Sequence, residues 1–310
     1  MDESGLTFRR ATAADKASVL ALCAKIWEGD DYIPACFEAW AGDEEGEFCL
    51  AFAPDAAKGG ERLVGLAKLS WLAPGHAWLE GLRKDPDSGI GGLGQALARR
   101  FLARLAREPG LESLRFSTYF ENAASIALNT RLGFREVARF SRLGRAWEAG
   151  AELPQPSPLV TPLGPRDREA LFAYLRASPA RGAFLHEAWR SYPWDEGLFA
   201  GRYLETGACF GIRGARGALR GAAAALVSGE KGTGAIVFLD AEDGETGALL
   251  VAEAERRMRA GGAREAEAFL GPGAAATRAC LEAAGYAPWE RAEDYLVFEY
   301  PLELLEARRR

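Results

Sequence analysis

A glycine-rich turn, Gly89-Ile90-Gly91-Gly92-Leu93-Gly94, carries the strongest chemical signal in the sequence. It lies between a predicted strand over residues 77–83 and a predicted helix that begins at Gln95. Glycines lack a Cβ, so the backbone N–H groups of such a turn can approach phosphate oxygens closely. The N-terminus of the helix adds partial positive charge at the same point. The turn therefore predicts a site for a phosphate-bearing cofactor.

Two other interpretations of this turn remain open. Gly89, Gly91 and Gly94 satisfy the dinucleotide fingerprint G-x-G-x-x-G literally, which would indicate an NAD(P)-dependent oxidoreductase. That fingerprint belongs after the first strand of a βαβ unit, with an acid about 20 residues later. Here the turn follows several antiparallel-looking strands, and the acid in that window, Glu108, stands at a predicted helix end. The remaining interpretation is a flexible connector that binds nothing.

The elements that must position the turn follow from the hydrophobic pattern of the first half. Apolar residues at i, i+3 and i+4 predict helices after Asp15, over 95–107 and over 123–132. Gly133 follows the last helix, as expected of a glycine at a helix C-terminus. Strands are predicted over residues 48–52, 63–72, 77–83, 114–119 and 134–140.

A similar series of landmarks occurs twice along the chain. Asp15 and Asp167 each precede a predicted helix, and Gly133 and Gly285 each follow one, with the same offset of 152 residues. Landmarks this far apart in one register indicate a duplicated domain. Prolines alternate with other residues over Leu153–Pro158, which predicts a stiff, extended linker. The predicted organisation is a domain over 1–150, a linker over 151–158 and a second domain over 159–310.

Over about its first 145 residues the chain resembles the GCN5-related N-acetyltransferases, the GNAT superfamily. The resemblance rests on four segments in matching order and spacing: 80–86, 92–97, 122–128 and 131–134. It implies an α/β (α+β) fold of two tandem GNAT-like domains, each with a mixed, largely antiparallel sheet flanked by helices. It also implies acetyl-CoA as the acetyl donor. No metal is expected, because the chain has only two histidines, His76 and His186, and no C-x-x-C pair.

The same resemblance implies the cofactor contacts. The backbone of residues 82–84 would pair with the pantetheine arm, and Asn122 would lie along that arm. Backbone amides of residues 89–94 would hold the pyrophosphate. The predicted cofactor-binding residues are Leu82, Arg83, Lys84, Gly89, Ile90, Gly91, Gly92, Leu93, Gly94, Gln95, Asn122, Ser125 and Asn129.

The sequence departs from the family pattern at two places. Gly89 stands where relatives carry arginine or glutamine, and Ile90 replaces the following glycine, so one phosphate-ordering side chain is missing. Asn129 stands where many relatives place a tyrosine that protonates the departing thiolate, and an amide is no useful proton donor. Tyr119, Ser125 or water could take that role. No acid is needed if the thiolate leaves unaided, since a thiol has a reference pKa of about 8.5.

Glu80 is the predicted catalytic residue, and it is also predicted to contact the acceptor. Acyl transfer to an amine requires the neutral amine, and a carboxylate can remove the ammonium proton directly or through water. Glu80 stands six residues before Pro86 on the strand that would flank the thioester, where relatives often have a glutamate. The alternative is an exposed strand carboxylate paired with an arginine or lysine.

A second motif, G-x-D-Y-x-P at residues 29–34, lies between the first two helices, where this family usually builds its acceptor pocket. It is similar to the histidine N-acetyltransferase-like subgroup, which also has a second acetyltransferase-like half. The resemblance implies that Asp31 and Tyr32 hold a small, amino-acid-like acceptor. The alternative is that Asp31 caps a helix and Tyr32 packs in the core.

The second half is predicted to be a degenerate GNAT-like domain. The offset of 152 matches the glycine turn to residues 241–246, and four acids over 240–246 would repel a pyrophosphate. It also matches Glu80 to Gly232. This half is predicted to pack on the first and wall off the acceptor pocket. The aromatic segment Phe184–Trp194 is mostly expected to be a helix-to-loop piece of its core.

Composition excludes several classes of function. A net charge of −6 with interleaved arginines argues against nucleic-acid binding, and the basic end 308–310 is expected to be frayed. Residues 1–8 lack the apolar stretch of a secretory signal, and no apolar run approaches the roughly 20 residues of a membrane span. Five spaced cysteines indicate reduced, mostly buried thiols. The chain is expected to be cytoplasmic, and a monomer or homodimer.

The predicted function is transfer of acetyl from acetyl-CoA to the amine of a small molecule, such as an amino acid or a derivative. One alternative is a non-catalytic acyl-CoA-binding or regulatory protein, which the missing tyrosine at Asn129 favours. The other is the NAD(P)-dependent oxidoreductase, which rests on the literal glycine fingerprint alone.

Overall fold

The computed structural model describes residues 5–55, 59–227 and 232–307; the basic end 308–310 lies outside this part of the chain. The helices are α1 Lys16–Cys23, α2 Ile33–Ala41, α3 Leu93–Leu105, α4 Ala123–Leu132, α5 Arg168–Ala177, α6 Glu196–Phe199, α7 Gly244–Ala260, α8 Ala275–Ala283 and α9 Leu302–Ala307. The strands are β1 Thr7–Arg10, β2 Glu47–Pro54, β3 Glu61–Ala73, β4 His76–Lys84, β5 Ser113–Tyr119, β6 Arg135–Ala146, β7 Val160–Pro162, β8 Phe184–Glu187, β9 Arg190–Pro193, β10 Cys209–Arg213, β11 Leu219–Val227, β12 Thr233–Ala241, β13 Glu265–Leu270, β14 Ala287–Pro288 and β15 Tyr295–Glu299.

The first compact unit contains residues 1–137 and 297–310. Its strands lie in the order β1-β2-β3-β4-β5-β15, antiparallel from β1 to β4 and parallel between β4 and β5. Strand β2 is buried along nearly its whole length because helices cover both faces of the sheet. One apolar cluster joins α1 and α2 to the sheet through Phe37, Trp40 and Phe48. Leu93 and Leu97 are buried on the inner side of α3.

The second compact unit contains residues 138–296. Its strands lie in the order β6-β13-β12-β11-β10-β7, with β12 and β13 parallel and the other neighbours antiparallel. Helices α7 and α8 pack on this sheet through Leu250, Met258 and Leu281. Each unit thus has a mixed, largely antiparallel sheet with flanking helices, and the predicted fold class is confirmed.

These compact units differ from the continuous halves 1–150 and 159–310 that the linker suggests. The C-terminal segment lies in the first unit, where the Phe298 ring stacks on Phe116 at 5.1 Å and Tyr300 meets Phe134 edge to face at 5.1 Å. The Tyr300 N–H also donates to the Leu114 carbonyl at 2.8 Å. The second unit correspondingly takes the C-terminal part of β6 beside β13.

The aromatic segment over 184–194 differs from its predicted form. It is a two-stranded antiparallel sheet of β8 and β9, with Phe184 opposite Pro193 and Glu187 opposite Arg190, so the helical interpretation is wrong. The turn between the strands contains Ala188 at a φ of +49°, a left-handed conformation that helices do not use. Within the described ranges, no helix is both long and apolar enough to cross a membrane.

Candidate active site

Strands β4 and β5 open a wedge in the sheet of the first unit. They pair in parallel from His76–Ser113 to Trp78–Arg115, and within the described residues the pairing ends there. Strand β4 nevertheless continues for six more residues, Leu79–Lys84. The backbone groups on this edge can therefore pair with an extended ligand, as an added strand would. This is the stretch in which residues 82–84 were expected to hold a pantetheine arm.

A bulge in β4 brings Glu80 and Arg83 to the same face of the sheet. Glu80 lies opposite Lys68 and Arg83 lies opposite Leu66, so β4 contains one extra residue between these pairs. Residues 66 and 68 share a face, and their partners therefore share it as well. Gly81 permits the bulge, since its φ is +65° and a Cβ would lie 2.6 Å from the Trp40 ring.

The glycine turn joins β4 to α3 through two left-handed glycines. Gly89 has a φ of +65°, and Gly92, the N-cap of α3, has a φ of +72°. Between them Ile90 is almost fully buried and anchors the turn in the core. No side chain caps the N-terminus of α3, so the N–H groups of Leu93, Gly94 and Gln95 are left for another acceptor. Such a helix end favours an anion.

A cavity of about 250 Å³ lies in front of this helix end. It is lined by the first turn of α3 and by the ends of β4 and α4, and its lining includes two cations and no carboxylate. The lining residues are Lys84, Gly92, Leu93, Gly94, Gln95, Leu128 and Arg131. Gly94 lets the elements meet here, because a Cβ would lie 3.1 Å from Leu128 and 3.4 Å from Leu82. Sequence reasoning had not selected Leu128 or Arg131 as site residues.

The base of the turn is held by an ionic cluster. Asp85 is buried and accepts hydrogen bonds from Lys25 Nζ at 2.9 Å and from the Asp87 N–H at 3.0 Å. Arg62 donates to the Ser88 carbonyl at 3.2 Å. Burial opposes ionisation of Asp85, but Lys25 and the Asp87 N–H outweigh it and hold the pKa of this carboxyl below its usual value. These contacts hold residues 85–88 in place at the start of the glycine turn.

Glu80 lies half-buried on β4, with its carboxylate oriented by a neighbouring strand. Ser70 Oγ donates a hydrogen bond to Glu80 Oε1 at 2.6 Å. This contact fixes one carboxylate oxygen, so the position of the group is set by β3 as well as by β4. A carboxylate held in this way can take up a proton from a group in the wedge.

Arg83 is locked on the same face as Glu80. Its Nε and Nη2 donate to the two oxygens of Asp31 at 2.8 and 3.0 Å, and the Asp31 side chain is fully buried. The guanidinium also lies 4.2 Å from the Trp27 ring centroid and 5.2 Å from that of Tyr32. Asp31 and Tyr32, the predicted acceptor residues, thus both contact Arg83.

The segment that carries Trp27 adopts an unusual backbone. Trp27, Glu28 and Gly29 have φ values of +45°, +56° and +92°. A non-glycine residue in such a conformation costs of order 1–3 kcal/mol and persists only where surrounding contacts determine it. Here the ring of Trp27, 60% exposed, is held over Arg83.

Helix α4 presents the three polar residues that were expected along the cofactor. Asn122 is its N-cap, and its Oδ1 accepts from the Ser125 N–H at 3.2 Å. Asn129 is buried, and its Nδ2 donates to the Ser125 carbonyl at 2.9 Å and to Ser125 Oγ at 3.4 Å. The amide of Asn129 is thus turned to its own helix, and Asn122 shapes the start of that helix.

The corresponding strand–helix junction in the second unit is built differently. Only two residues separate β12 from α7, whereas eight separate β4 from α3. The N-cap of α7 is Asp243, whose Oδ1 accepts from the Thr246 N–H at 2.8 Å. Arg220 pairs with the same carboxylate. The N-terminus of α7 is therefore capped by a carboxylate of the protein, whereas the N-terminus of α3 has no side-chain cap.

The shorter junction also changes how the two halves correspond. Ser113 and Glu265 match at the offset of 152, but their parallel partners are His76 and Thr233, which are 157 residues apart. Glu80, four residues after His76, therefore matches Val237, and its earlier match to Gly232 is wrong. Neither residue carries a carboxylate.

The cysteines of the described ranges are free thiols, and most of them are buried. Cys23, Cys36, Cys49 and Cys209 are buried and Cys280 is half-buried, all as free thiols. Burial raises the pKa of Cys23 and of Cys49 to about 12, which keeps both protonated at neutral pH. No cluster of three or more histidine, cysteine, aspartate or glutamate side chains suited to a metal ion occurs among these residues.

Comparison with known proteins agrees with this geometry. Residues 16–134 match the model of the Acetyltransferase (GNAT) family. A GCN5-related N-acetyltransferase from Sphaerobacter thermophilus has 16% identity and a TM-score of 0.65, with 95% of each chain covered. A tandem GNAT protein from the clavulanic acid biosynthesis pathway has 17% identity and a TM-score of 0.60, covering 95% of this chain and 97% of that one. None of the curated proteins matches the sequence.

A third structure illustrates the breadth of the fold. A GCN5-related glucosamine N-acetyltransferase region of a fungal multi-domain GH3 β-N-acetylglucosaminidase aligns with 13% identity and a TM-score of 0.61. The alignment covers 95% of this chain and 38% of that one. At such identities the structures establish the fold, and the family match over 16–134 covers the wedge, the glycine turn and α4. Residues 16–134 therefore match the GNAT family, and the chain as a whole has the fold of tandem GNAT proteins.

Proposed function

We propose that this chain is an N-acetyltransferase with one acetyl-CoA site, located in its first unit. Acyl transfer is the general activity of the GNAT fold, and acetyl-CoA is the general cofactor of the family. The acceptor is the amine of a small molecule, such as an amino acid or a derivative. The observation that carries the proposal is the uncapped N-terminus of α3, which faces a cavity lined by Lys84 and Arg131.

The residues present fit a pyrophosphate-bearing cofactor. The N–H groups of the first turn of α3 would hold the pyrophosphate, and two cations line the same cavity. The open edge of β4 over residues 82–84 would pair with the pantetheine amides. Bound acetyl-CoA would supply a thioester carbonyl for attack by the amine. Gly89 lacks the arginine or glutamine side chain of relatives, but the backbone N–H groups that would bind the pyrophosphate are still present.

Glu80 is the proposed base. An ammonium group must lose a proton before its nitrogen can attack a carbonyl, and Glu80 would accept that proton directly or through a water. The hydrogen bond from Ser70 Oγ to Oε1 orients the carboxylate for this transfer. Asn129 is not the acid for the leaving thiolate, since its amide donates to its own helix. Tyr119, Ser125 or water would take that step.

Asp31 and Tyr32 are proposed to act on the acceptor side through Arg83. The carboxylate of Asp31 accepts from the guanidinium at both oxygens, and Oδ1 also accepts from the Ile33 N–H at 3.2 Å, so it would hold Arg83 in place instead of binding an acceptor amine itself. Because Arg83 and Glu80 share a face, this locked side chain borders the space that an acceptor would enter. Tyr32 and Trp27 form the aromatic part of that border.

A CoA-release assay with the full chain tests the proposal. Acetyl-CoA is offered with free amino acids, polyamines, amino sugars, aminoglycosides and peptides, and release of free thiol is followed. We expect release above the hydrolysis background with at least one small-molecule amine. Binding of acetyl-CoA without turnover on any of these amines would favour the non-catalytic alternative. Binding of NAD(P) without binding of acetyl-CoA would favour the oxidoreductase.

A further inference from the structure

The tip of the glycine turn carries no side chain that could contact a phosphate. A Cβ added at Gly89 or at Gly91 would have no heavy atom within 4 Å, so both positions face open space. The side chain of Ile90 points into the core and is 1% exposed. The turn itself therefore offers backbone amides and no charge, although a pyrophosphate carries two negative charges.

Two cations reach the same cavity from other elements. Lys84 is the last residue of β4, and Arg131 lies in the last turn of α4. Both line the cavity together with the first turn of α3. Arg131 Nε donates to the Ala127 carbonyl at 3.1 Å, which ties the guanidinium to its own helix near the cavity. An arginine presents several donors in one plane and suits phosphate oxygens well.

We propose that Arg131, assisted by Lys84, replaces the cationic side chain that the turn lacks at Gly89 and contacts the pyrophosphate of the cofactor. This inference rests on the proposed function, because it assigns a contact within that acetyl-CoA site. The α3 amides and the Arg131 guanidinium would then approach one anion from two elements. The absence of any carboxylate from the cavity lining leaves this positive charge uncompensated there.

Calorimetric binding of three ligands tests the inference. Acetyl-CoA, 3′-dephospho-CoA and acetyl-pantetheine are titrated into the full-length wild-type chain, Arg131→Ala and the matched control Arg107→Ala. Arg107 is an exposed arginine just beyond the other end of α3 and away from the cavity. Loss of a charged hydrogen bond predicts about 10- to 100-fold weaker binding of acetyl-CoA by Arg131→Ala. Arg131→Lys should recover part of the affinity.

The three ligands separate the possible contacts. We expect the same loss for 3′-dephospho-CoA, which keeps the pyrophosphate, and no loss for acetyl-pantetheine, which has none. Arg107→Ala should bind like the wild type. Equal binding by wild type and Arg131→Ala would overturn the inference while the proposed function stands. A loss seen with acetyl-CoA but absent with 3′-dephospho-CoA would also overturn it, because the contact would then be to the 3′-phosphate. Failure of the wild type to bind acetyl-CoA would instead refute the proposed function.

Discussion

Replacement of Glu80 by glutamine is expected to lower kcat/KM for the acceptor amine by about 10²- to 10⁴-fold near neutral pH. The amide can still accept the hydrogen bond from Ser70 but cannot take up a proton. The variant should therefore act only on the small fraction of acceptor that is already neutral. That fraction rises tenfold per pH unit below the pKa of the amine, so the deficit should shrink as the pH is raised.

The measurement is a pH profile of kcat/KM for Glu80→Gln beside the wild type. Glu61→Gln, which changes an exposed glutamate on the neighbouring strand β3, serves as the matched control and should leave the profile unchanged. The melting temperature of each variant reports whether the fold is intact. Full activity of Glu80→Gln across the pH range, with Glu80→Gln folded, would show that this carboxylate is not the base.

Asp31→Ala is expected to destabilise the first unit by about 3–5 kcal/mol, because it leaves a buried guanidinium without its partner. The side chain of Asp31 is 0% exposed and that of Arg83 is 10% exposed, so solvent replaces little of the lost interaction. Arg83 would also lose the two hydrogen bonds that hold it between Trp27 and Tyr32. Urea unfolding of the full chain measures the change in the free energy of unfolding.

Two further variants separate the ion pair from general disruption of the segment. Glu28→Gln removes a neighbouring exposed carboxylate, and it should change the free energy of unfolding by less than about 0.5 kcal/mol. The double variant Asp31→Leu with Arg83→Met replaces both charges by apolar groups, and it should be more stable than Asp31→Ala. A double variant as unstable as Asp31→Ala would mean that the charge pair is not the source of the effect.

Much of the first unit follows from local sequence patterns. The predicted strands over 63–72 and 77–83 fall within β3 and β4, and the predicted helix over 123–132 coincides with α4. Alternation and capping residues act over a few positions, so they can be recognised without knowledge of the rest of the chain. The glycine turn was identified for the same reason: its residues are consecutive and their conformations are local.

The parts that could not be predicted depend on distant residues. Arg131 belongs to the cavity only because α4 ends beside the first turn of α3, and no pattern near Arg131 indicates this. The bulge at Gly81 could not be inferred either, because it is defined by the register of β4 against β3. Tyr300 packs beside Phe134 in the first unit although 166 positions separate them in the chain.

The repeat shows where a constant offset fails. The offset holds at Asn122 and Ala274, which are 152 positions apart and are the N-caps of α4 and α8. It fails on β12, because the junction before α7 is six residues shorter than that before α3. The spacing between two landmarks stays constant when a deletion between them is compensated by an insertion elsewhere between them. The constant offset therefore points to the acids over 240–246, but it does not reveal that the second unit lacks the long turn between its strand and helix.

The stoichiometry of acetyl-CoA binding to the full-length chain, measured by calorimetry beside two variants, tests whether the N-terminus of α3 forms the single cofactor site. Gly92→Asp places a carboxylate at the N-cap of α3, where α7 has Asp243. Asp243→Gly removes the carboxylate from the N-cap of α7. Aspartate tolerates the left-handed conformation at position 92 better than most residues. We predict one molecule per wild-type chain, binding weakened at least about tenfold in folded Gly92→Asp, and binding unchanged in Asp243→Gly. Two molecules per chain, or undiminished binding by Gly92→Asp, would show that the N-terminus of α3 is not the single cofactor site.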